Sequence, residues 1–156
     1  MDRVLFVCVH NSARSQMAEA YLKLLGAEEF TVESAGFEPT EINPLVVEVM
    51  QEEGVDLSEK KTQKVFDLFR AGKIYNYVIT VCSESAAEQC PIFPGMTHRL
   101  HLPFEDPASV QGSHEERLQK TRIIRDQIKA MIQEFVDWVG SGGTTPLGDM
   151  WGLKKP

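Results

Sequence analysis

Cysteine is scarce in this chain, with three among 156 residues, and an odd number cannot all pair with one another. Free thiols are ordinary in a reducing cytosol and often chemical there, so the count argues for a cytoplasmic protein and against a disulfide-stapled secreted domain. Long hydrophobic runs are absent, which excludes a membrane-spanning helix. The opening MDRVLFVC has too short an apolar run and no small-residue cleavage site, so no secretory signal is expected. Positive charge is in deficit: 16 Lys and Arg against 23 Asp and Glu leave a formal charge of -7. That balance excludes a general nucleic-acid binder, whose affinity comes from neutralising phosphates. It also means that any anion this protein binds is drawn by a local site.

What remains is the composition of an ordinary globular domain, 42% apolar and 25% charged, in a length suited to one hydrophobic core. Arg3–Cys8 reads as a buried strand. Asn11 and Ser12 supply helix-start chemistry for a helix that Gly26 stops. Thr31–Ala35 reads as a second strand. Asn43-Pro44 opens a helix with the apolar stripe Leu45, Val46, Val49 and Met50, ending at Gly54. Val65–Phe69 predicts a short helix, Tyr77–Val81 a central strand, and Arg99–Leu102 a weaker fourth. Ser113 and Glu116 form a capping box for a long helix whose stripe runs Ile124, Ile128, Met131, Phe135 and Trp138. No internal repeat is found. Strands alternating with helices predict a single α/β domain, an open parallel four-stranded sheet with helices on both faces. The domain is expected over 1–139. Residues 140–156, rich in Gly, Thr and Pro, are expected to form a flexible tail, with docking through Met150 and Trp151 as the less favoured reading.

The first strand-to-helix turn reads Cys8-Val9-His10-Asn11-Ser12-Ala13-Arg14-Ser15. Ligands of open parallel sheets bind at the carboxyl ends of strands. A loop there that feeds a helix aims backbone N–H groups and the positive dipole end at one spot, and a thiol at that spot is pushed toward its nucleophilic anion. Arg14 can grip two oxygens of a tetrahedral oxyanion with its fork of donors, and Ser15 can hydrogen-bond the Cys8 sulfur. Taken alone, Cys8 could be a small buried hydrophobe and Arg14 a solvated helix residue. The order strand, Cys, five residues, Arg-Ser, helix is the context that sets this bland reading aside.

Residues 8–18, with their C-x5-R-S core, resemble the phosphate loop of low-molecular-weight tyrosine phosphatases and their arsenate reductase relatives. Gln16–Ala20 and Ser34-Ala35-Gly36 look like the reductase branch. Asp106-Pro107 alone reads as a turn; in Phe104-Glu105-Asp106-Pro107 it resembles the family's general acid. Cys82 closes the third predicted strand and so faces the same sheet edge as Cys8, and Cys90 follows after a Ser-, Ala- and Glu-rich segment expected to be mobile and partly helical. A second thiol near Cys8 could displace a reduced product and leave a disulfide, and a third could carry that disulfide outward. Inert packing of Cys82 and Cys90 is the bland alternative, and zinc held with His98 and His101 another, with ligand gaps too wide for the usual pattern.

Cys82–Pro94, His101 and the Asp-Pro after it are similar to the thioredoxin-coupled arsenate reductases, and the resemblance spans residues 1–138. It implies that Cys8 attacks arsenate held by Arg14 and the loop amides, with Asp106 as acid. Cys82 then attacks Cys8 and releases arsenite, and Cys90 attacks Cys82, leaving a disulfide for thioredoxin or a similar dithiol. No cofactor, no metal, and no nucleic-acid or membrane partner is expected, and the resemblance implies arsenic detoxification by a cytoplasmic protein expected to be a monomer. The alternative function is a phosphatase hydrolysing phosphate monoesters, and a non-enzymatic oxyanion or oxidant sensor is a third. The chain departs from the pattern in four places. Ala13 stands where some relatives carry a further Cys, and His10 where many have Gly. The outer cysteines lie one residue further apart than in some reductases. Lys64, in Thr62-Gln63-Lys64, replaces an Asp that in some members helps hold potassium. Its ammonium is expected to do that cation's work through Asn11 or Glu19, so that potassium gives no strong stimulation. His98, His101 and His114 read as surface or packing residues.

Overall fold

The computed structural model describes residues 1–142. Its first strand, β1 (Asp2–Cys8), is hydrogen-bonded in parallel on both sides, to β2 (Phe30–Gly36) and to β3 (Tyr77–Thr80). A fourth strand, β4 (His98–His101), adds to β3 and completes the parallel order β2-β1-β3-β4. The helices are α1 (Arg14–Leu25), α2 (Pro44–Gln51), α3 (Val65–Arg70), α4 (Glu84–Ala87) and α5 (His114–Gly140).

Val4 to Cys8 are each at most 2% exposed although successive strand residues point to opposite faces, so both faces of the sheet are covered. On one face Phe30 and Tyr77 meet Phe135 of α5 at ring separations of 5.8 and 5.2 Å, and α1 packs against α5. On the other, Arg3 lies over the Tyr75 ring and Glu33 accepts the Tyr75 hydroxyl at 3.2 Å. There Phe93 bridges Tyr75 to Phe69 of α3 by edge contacts. Burying Leu5, Phe6 and Val7 stabilises the fold by roughly 1.5–3 kcal/mol each relative to exposure, which roots the loop after β1 in the firmest part of the molecule.

Because β1 lies between β2 and β3, the chain leaves it toward one side and later returns to the other. The crevice outside its carboxyl end is therefore the topological switch point where open α/β sheets take ligands. Cys8 is the last residue of that strand.

Element existence matches the sequence reading; several ends differ. The first helix starts at Arg14 rather than Asn11 or Ser12, with Ala13 at its N-cap and no side-chain cap, because the Asn11 side chain is spent on loop contacts. α2 ends at Gln51, and Gly54 takes a positive φ of 78° in the turn beyond it. β3 stops at Thr80, two residues before Cys82, although the Val81 amide still donates to Val7 O at 2.9 Å. The capping box at Ser113 and Glu116 is present, and Ile124, Ile128, Met131 and Phe135 are buried, with Trp138 half-buried against Tyr77 and Phe135. α5 runs through Gly140, one residue into the segment expected as a tail. Residues 143–156, with Met150 and Trp151, lie outside the described residues.

Candidate active site

The loop from Cys8 to Arg14 is held open from outside. Amides of the segment after β2 donate to its carbonyls: Phe37 to Cys8 O at 3.2 Å, Glu38 to Val9 O at 2.8 Å, Thr40 to His10 O at 3.0 Å and Asn43 to Ser12 O at 2.9 Å. With four carbonyls drawn outward, the loop N–H groups are left for the interior of the turn, the arrangement that makes an anion nest. The first turn of α1 has no side-chain cap, so its orphan amides add to the same nest. His10 shares a 2.9 Å hydrogen bond between its Nδ1 and Glu38 O, which ties the loop to that bracing segment. Gly36 makes the bracing possible, since a Cβ there would sit 2.7 Å from both Asn11 N and Val9 O.

Asn11 is the one non-glycine residue with positive φ among the described residues, at 53°, a conformation Asn tolerates better than most side chains. Its amide orientation follows from its partners. The Gln63 backbone N–H, which can only donate, reaches Asn11 Oδ1 at 3.1 Å, so Nδ2 must point the other way, to Ser15 Oγ at 2.8 Å and Ser34 Oγ at 3.0 Å. Both hydroxyls thus accept from Asn11 and keep their own hydrogens to give. Ser34 donates to Glu19 at 2.6 Å, and Ser15 is left to donate to Cys8 Sγ at 2.9 Å. Asn11 N–H also reaches that sulfur, at 3.1 Å. Sulfur receiving two donors is the electrostatic setting of a nucleophile.

Arg14 is buried in the first turn of α1, its NH1 on Phe104 O at 3.2 Å and its NH2 3.5 Å from Asp106 Oδ2. Its Nε is buried and bonded to no protein atom among the described residues, a donor free for an oxyanion oxygen. Asp106, one-third exposed, accepts the Ala108 amide through Oδ1 and opens a 3-10 turn at Pro107–Ser109. Expected as turn or as acid, it is the first and stands beside the guanidinium where the second would act.

All three cysteines are free thiols. Cys82 is fully buried just beyond β3 on the strand edge that carries Cys8. Burial above all pushes its thiol up to about 11; Cys8 adds to the rise, Arg14 opposes it, and Cys90 contributes slightly. Cys82 therefore senses the Cys8 loop directly. Cys90 lies past α4, 6% exposed, and its Sγ points to Pro91 O at 3.6 Å. Burial raises this thiol and the Arg99 guanidinium, close enough to hydrogen-bond it, works the other way.

Lys64 does not reach Glu19: it is the N-cap residue of α3, its backbone bridged to Gly36. The cations on Glu19 are Lys23, one helical turn along α1, and Lys60, at 3.1 and 3.2 Å from its two oxygens. Helical spacing could have found Lys23; Lys60 comes from a loop with no periodic signal. Of the histidines, His98 stacks on Tyr77, His114 lies 3.3 Å from Glu48, and His101 Nδ1 is 2.7 Å from Thr80 Oγ1. No cluster of His, Cys, Asp and Glu able to hold a metal ion occurs among the described residues.

Residues 3–141 match the model of the low molecular weight phosphotyrosine protein phosphatase family. An arsenate reductase of Shouchella clausii is 38% identical over 136 residues, covering 86% of this chain and 94% of that protein. Among solved structures, a thioredoxin-dependent arsenate reductase of Corynebacterium glutamicum superimposes with TM-score 0.68 at 30% identity. It covers 91% of this chain, which spans only 63% of that one. An arsenate reductase of Archaeoglobus fulgidus gives TM-score 0.68 at 28% identity over 86% of this chain and 98% of its own. On this match, and on the sulfur, guanidinium and braced loop at the end of β1, the chain belongs to the low molecular weight phosphotyrosine protein phosphatase family.

Proposed function

We propose that the protein reduces arsenate to arsenite through a relay of its three thiols. One observation carries the reading. A second, buried thiol, Cys82, adjoins the Cys8 loop of a phosphatase fold, where hydrolysis of a Cys8 intermediate would need only water. The arsenate reductases at 38% identity support it.

Arg14 and the loop amides hold arsenate, and Cys8 sulfur attacks arsenic while Asp106 gives a proton to the departing oxygen, which leaves as water. Cys82 then attacks Cys8 sulfur. The sulfur–sulfur bond forms as the sulfur–arsenic pair returns to arsenic, which falls from the pentavalent to the trivalent state and leaves as arsenite. Cys90 attacks Cys82, freeing Cys8 and leaving a Cys82–Cys90 disulfide. An external dithiol, thioredoxin or a protein like it, restores both thiols. The two electrons that reduce arsenic are those lost by the thiol pair. The thiol pKa of Cys82 near 11 places its deprotonation within the relay: its proton must leave when attack occurs, and arrival of a Cys8 adduct in place of an anionic sulfur removes one of the influences holding it.

The test is arsenite production with thioredoxin, its reductase and NADPH for the wild type and for Cys8→Ser, Cys82→Ser and Cys90→Ser. All three variants should lose multiple turnover. Cys90→Ser with unimpaired thioredoxin-driven turnover would sink the three-thiol relay, and a wild type that makes no arsenite would leave a phosphatase acting on phosphate monoesters.

A further inference from the structure

Glu19 is a buried carboxylate, 2% exposed, that takes no part in the chemistry above yet is wired to it. Ser34 donates to Glu19 and accepts from Asn11 Nδ2, which also donates to Ser15, which donates to Cys8. The Ser34 hydroxyl cannot reverse, since Glu19 only accepts, and the Ser15 hydroxyl is free to donate to an anionic Cys8 sulfur. A buried anion this close behind the loop opposes both an anionic Cys8 and an oxyanion in front of it unless it is neutralised. Facing the same sulfur are the Arg14 guanidinium, paired with Asp106, and the Cys82 thiol, with the His10 imidazole in the loop itself turned to Glu38 O.

A free potassium ion, which some relatives hold beside this loop, does not fit here, because the Glu19 oxygens already face two ammonium groups. Lys23 reaches one oxygen along its own helix and is 54% exposed, whereas Lys60 is 34% exposed and lies within 3.2 Å of both. We infer that Lys60 is a positioning residue for the Cys8 loop: a tethered counter-cation that neutralises Glu19 and makes oxyanion binding independent of any free cation. This rests on the arsenate-reducing reading only for the kinetic arm of its test.

Lys60 and Glu19 both line a cavity of about 400 Å³, so a small cation could enter if the lysine side chain were cut back. In Lys60→Ala the reduced protein should alkylate at Cys8 about three- to tenfold more slowly at neutral pH. Its arsenate KM should rise by a similar factor while kcat changes little. Methylammonium or potassium should restore both, while the wild type should respond to neither, and Lys60→Arg should stay within about twofold of the wild type. In a Glu19→Gln background, where no buried charge needs neutralising, Lys60→Ala should have almost no further effect. A purely structural lysine would show neither cation rescue nor this dependence on Glu19. The inference is overturned if Lys60→Ala alkylates and binds arsenate as the wild type does, if the loss persists unchanged in the Glu19→Gln background, or if potassium markedly lowers the wild-type KM. Alkylation needs no reductase chemistry, so a protein that passes it but makes no arsenite refutes the proposed reaction and not the role of Lys60.

Discussion

Around Cys8 the work is divided among residues that cannot exchange duties. Asn11 bends the loop through positive φ and orients two hydroxyls, Ser15 delivers a hydrogen to the sulfur, and Arg14 brings the charge. Arg14→Lys keeps the charge and loses the fork, and with it about 2 kcal/mol or more of transition-state grip; kcat/KM for arsenate should fall at least about 30-fold. Gly36→Ala pushes a methyl into the backbone of residues 9–11, where nothing flexible can yield. Oxyanion protection against alkylation should be lost in that variant, and thermal melting should show a destabilisation of about 1–3 kcal/mol. Cys82, held protonated by burial, should be the slow thiol: peptide mapping after brief iodoacetamide treatment near neutral pH should find it unmodified, its labelling climbing only as pH approaches about 11. Cys8 and Arg14 stood out as candidates in the sequence because a sulfur, an arginine six positions on and a helix start leave little other sense. Their supporting residues were not. Gln63 acts through its backbone amide and Lys60 through a loop, and neither carries a pattern that spacing can detect.

At the scale of elements, the strongest contrast is between β1, sealed on both faces, and α4, a single turn with no buried residue, capped only by Ser83. One such turn is barely stable by itself. It lies between the two cysteines that the proposed relay joins, so oxidation to a Cys82–Cys90 disulfide is expected to unwind it and draw Cys90 inward. Hydrogen exchange should show residues 83–90 losing protection in the oxidised protein while β1 and α5 stay unchanged; protection retained there would contradict the proposed pairing. The sequence reading anticipated partial helix in this segment from its Ser, Ala and Glu content. It misplaced the start of α1 because Asn11 and Ser12 are cap-type residues, and it could not know that the Asn11 side chain would be occupied by Ser15, Gln16, Ser34 and Gln63.

Over the whole molecule, α5 is bound to α2 and the turn after it by a charged belt. Arg125 donates to Val49 O and Glu52, Arg122 to Glu52, and Lys129 and Tyr21 to Glu53. Hydrogen bonds from Arg122 hold Glu52 below the usual carboxylate range, and those from Lys129 and Tyr21 do the same for Glu53. A carboxylate whose folded value lies below its unfolded one stabilises the fold above the unfolded value and loses that support as pH falls through the folded one. Thermal melting should therefore be steady near neutrality and decline below about pH 4.5, with Glu53→Gln flattening part of that slope. Burial raises Tyr21, with the opposite sign: its contribution is lost only at strongly alkaline pH. Fold class could be read from alternating apolar segments, but this belt could not, since its partners on α5 and at Glu52 stand some 70 positions apart in the chain.

The outward pull on the loop carbonyls has a cost in discrimination. A cradle shaped before its guest arrives welcomes any tetrahedral oxyanion of the right size, and sulfate and phosphate are far commoner than arsenate. Entry alone cannot sort them. Choice falls to the step after capture, since only a centre that can accept an electron pair rewards attack by a neighbouring thiol. Common oxyanions should accordingly behave as simple competitors, crowding the doorway without ever being transformed.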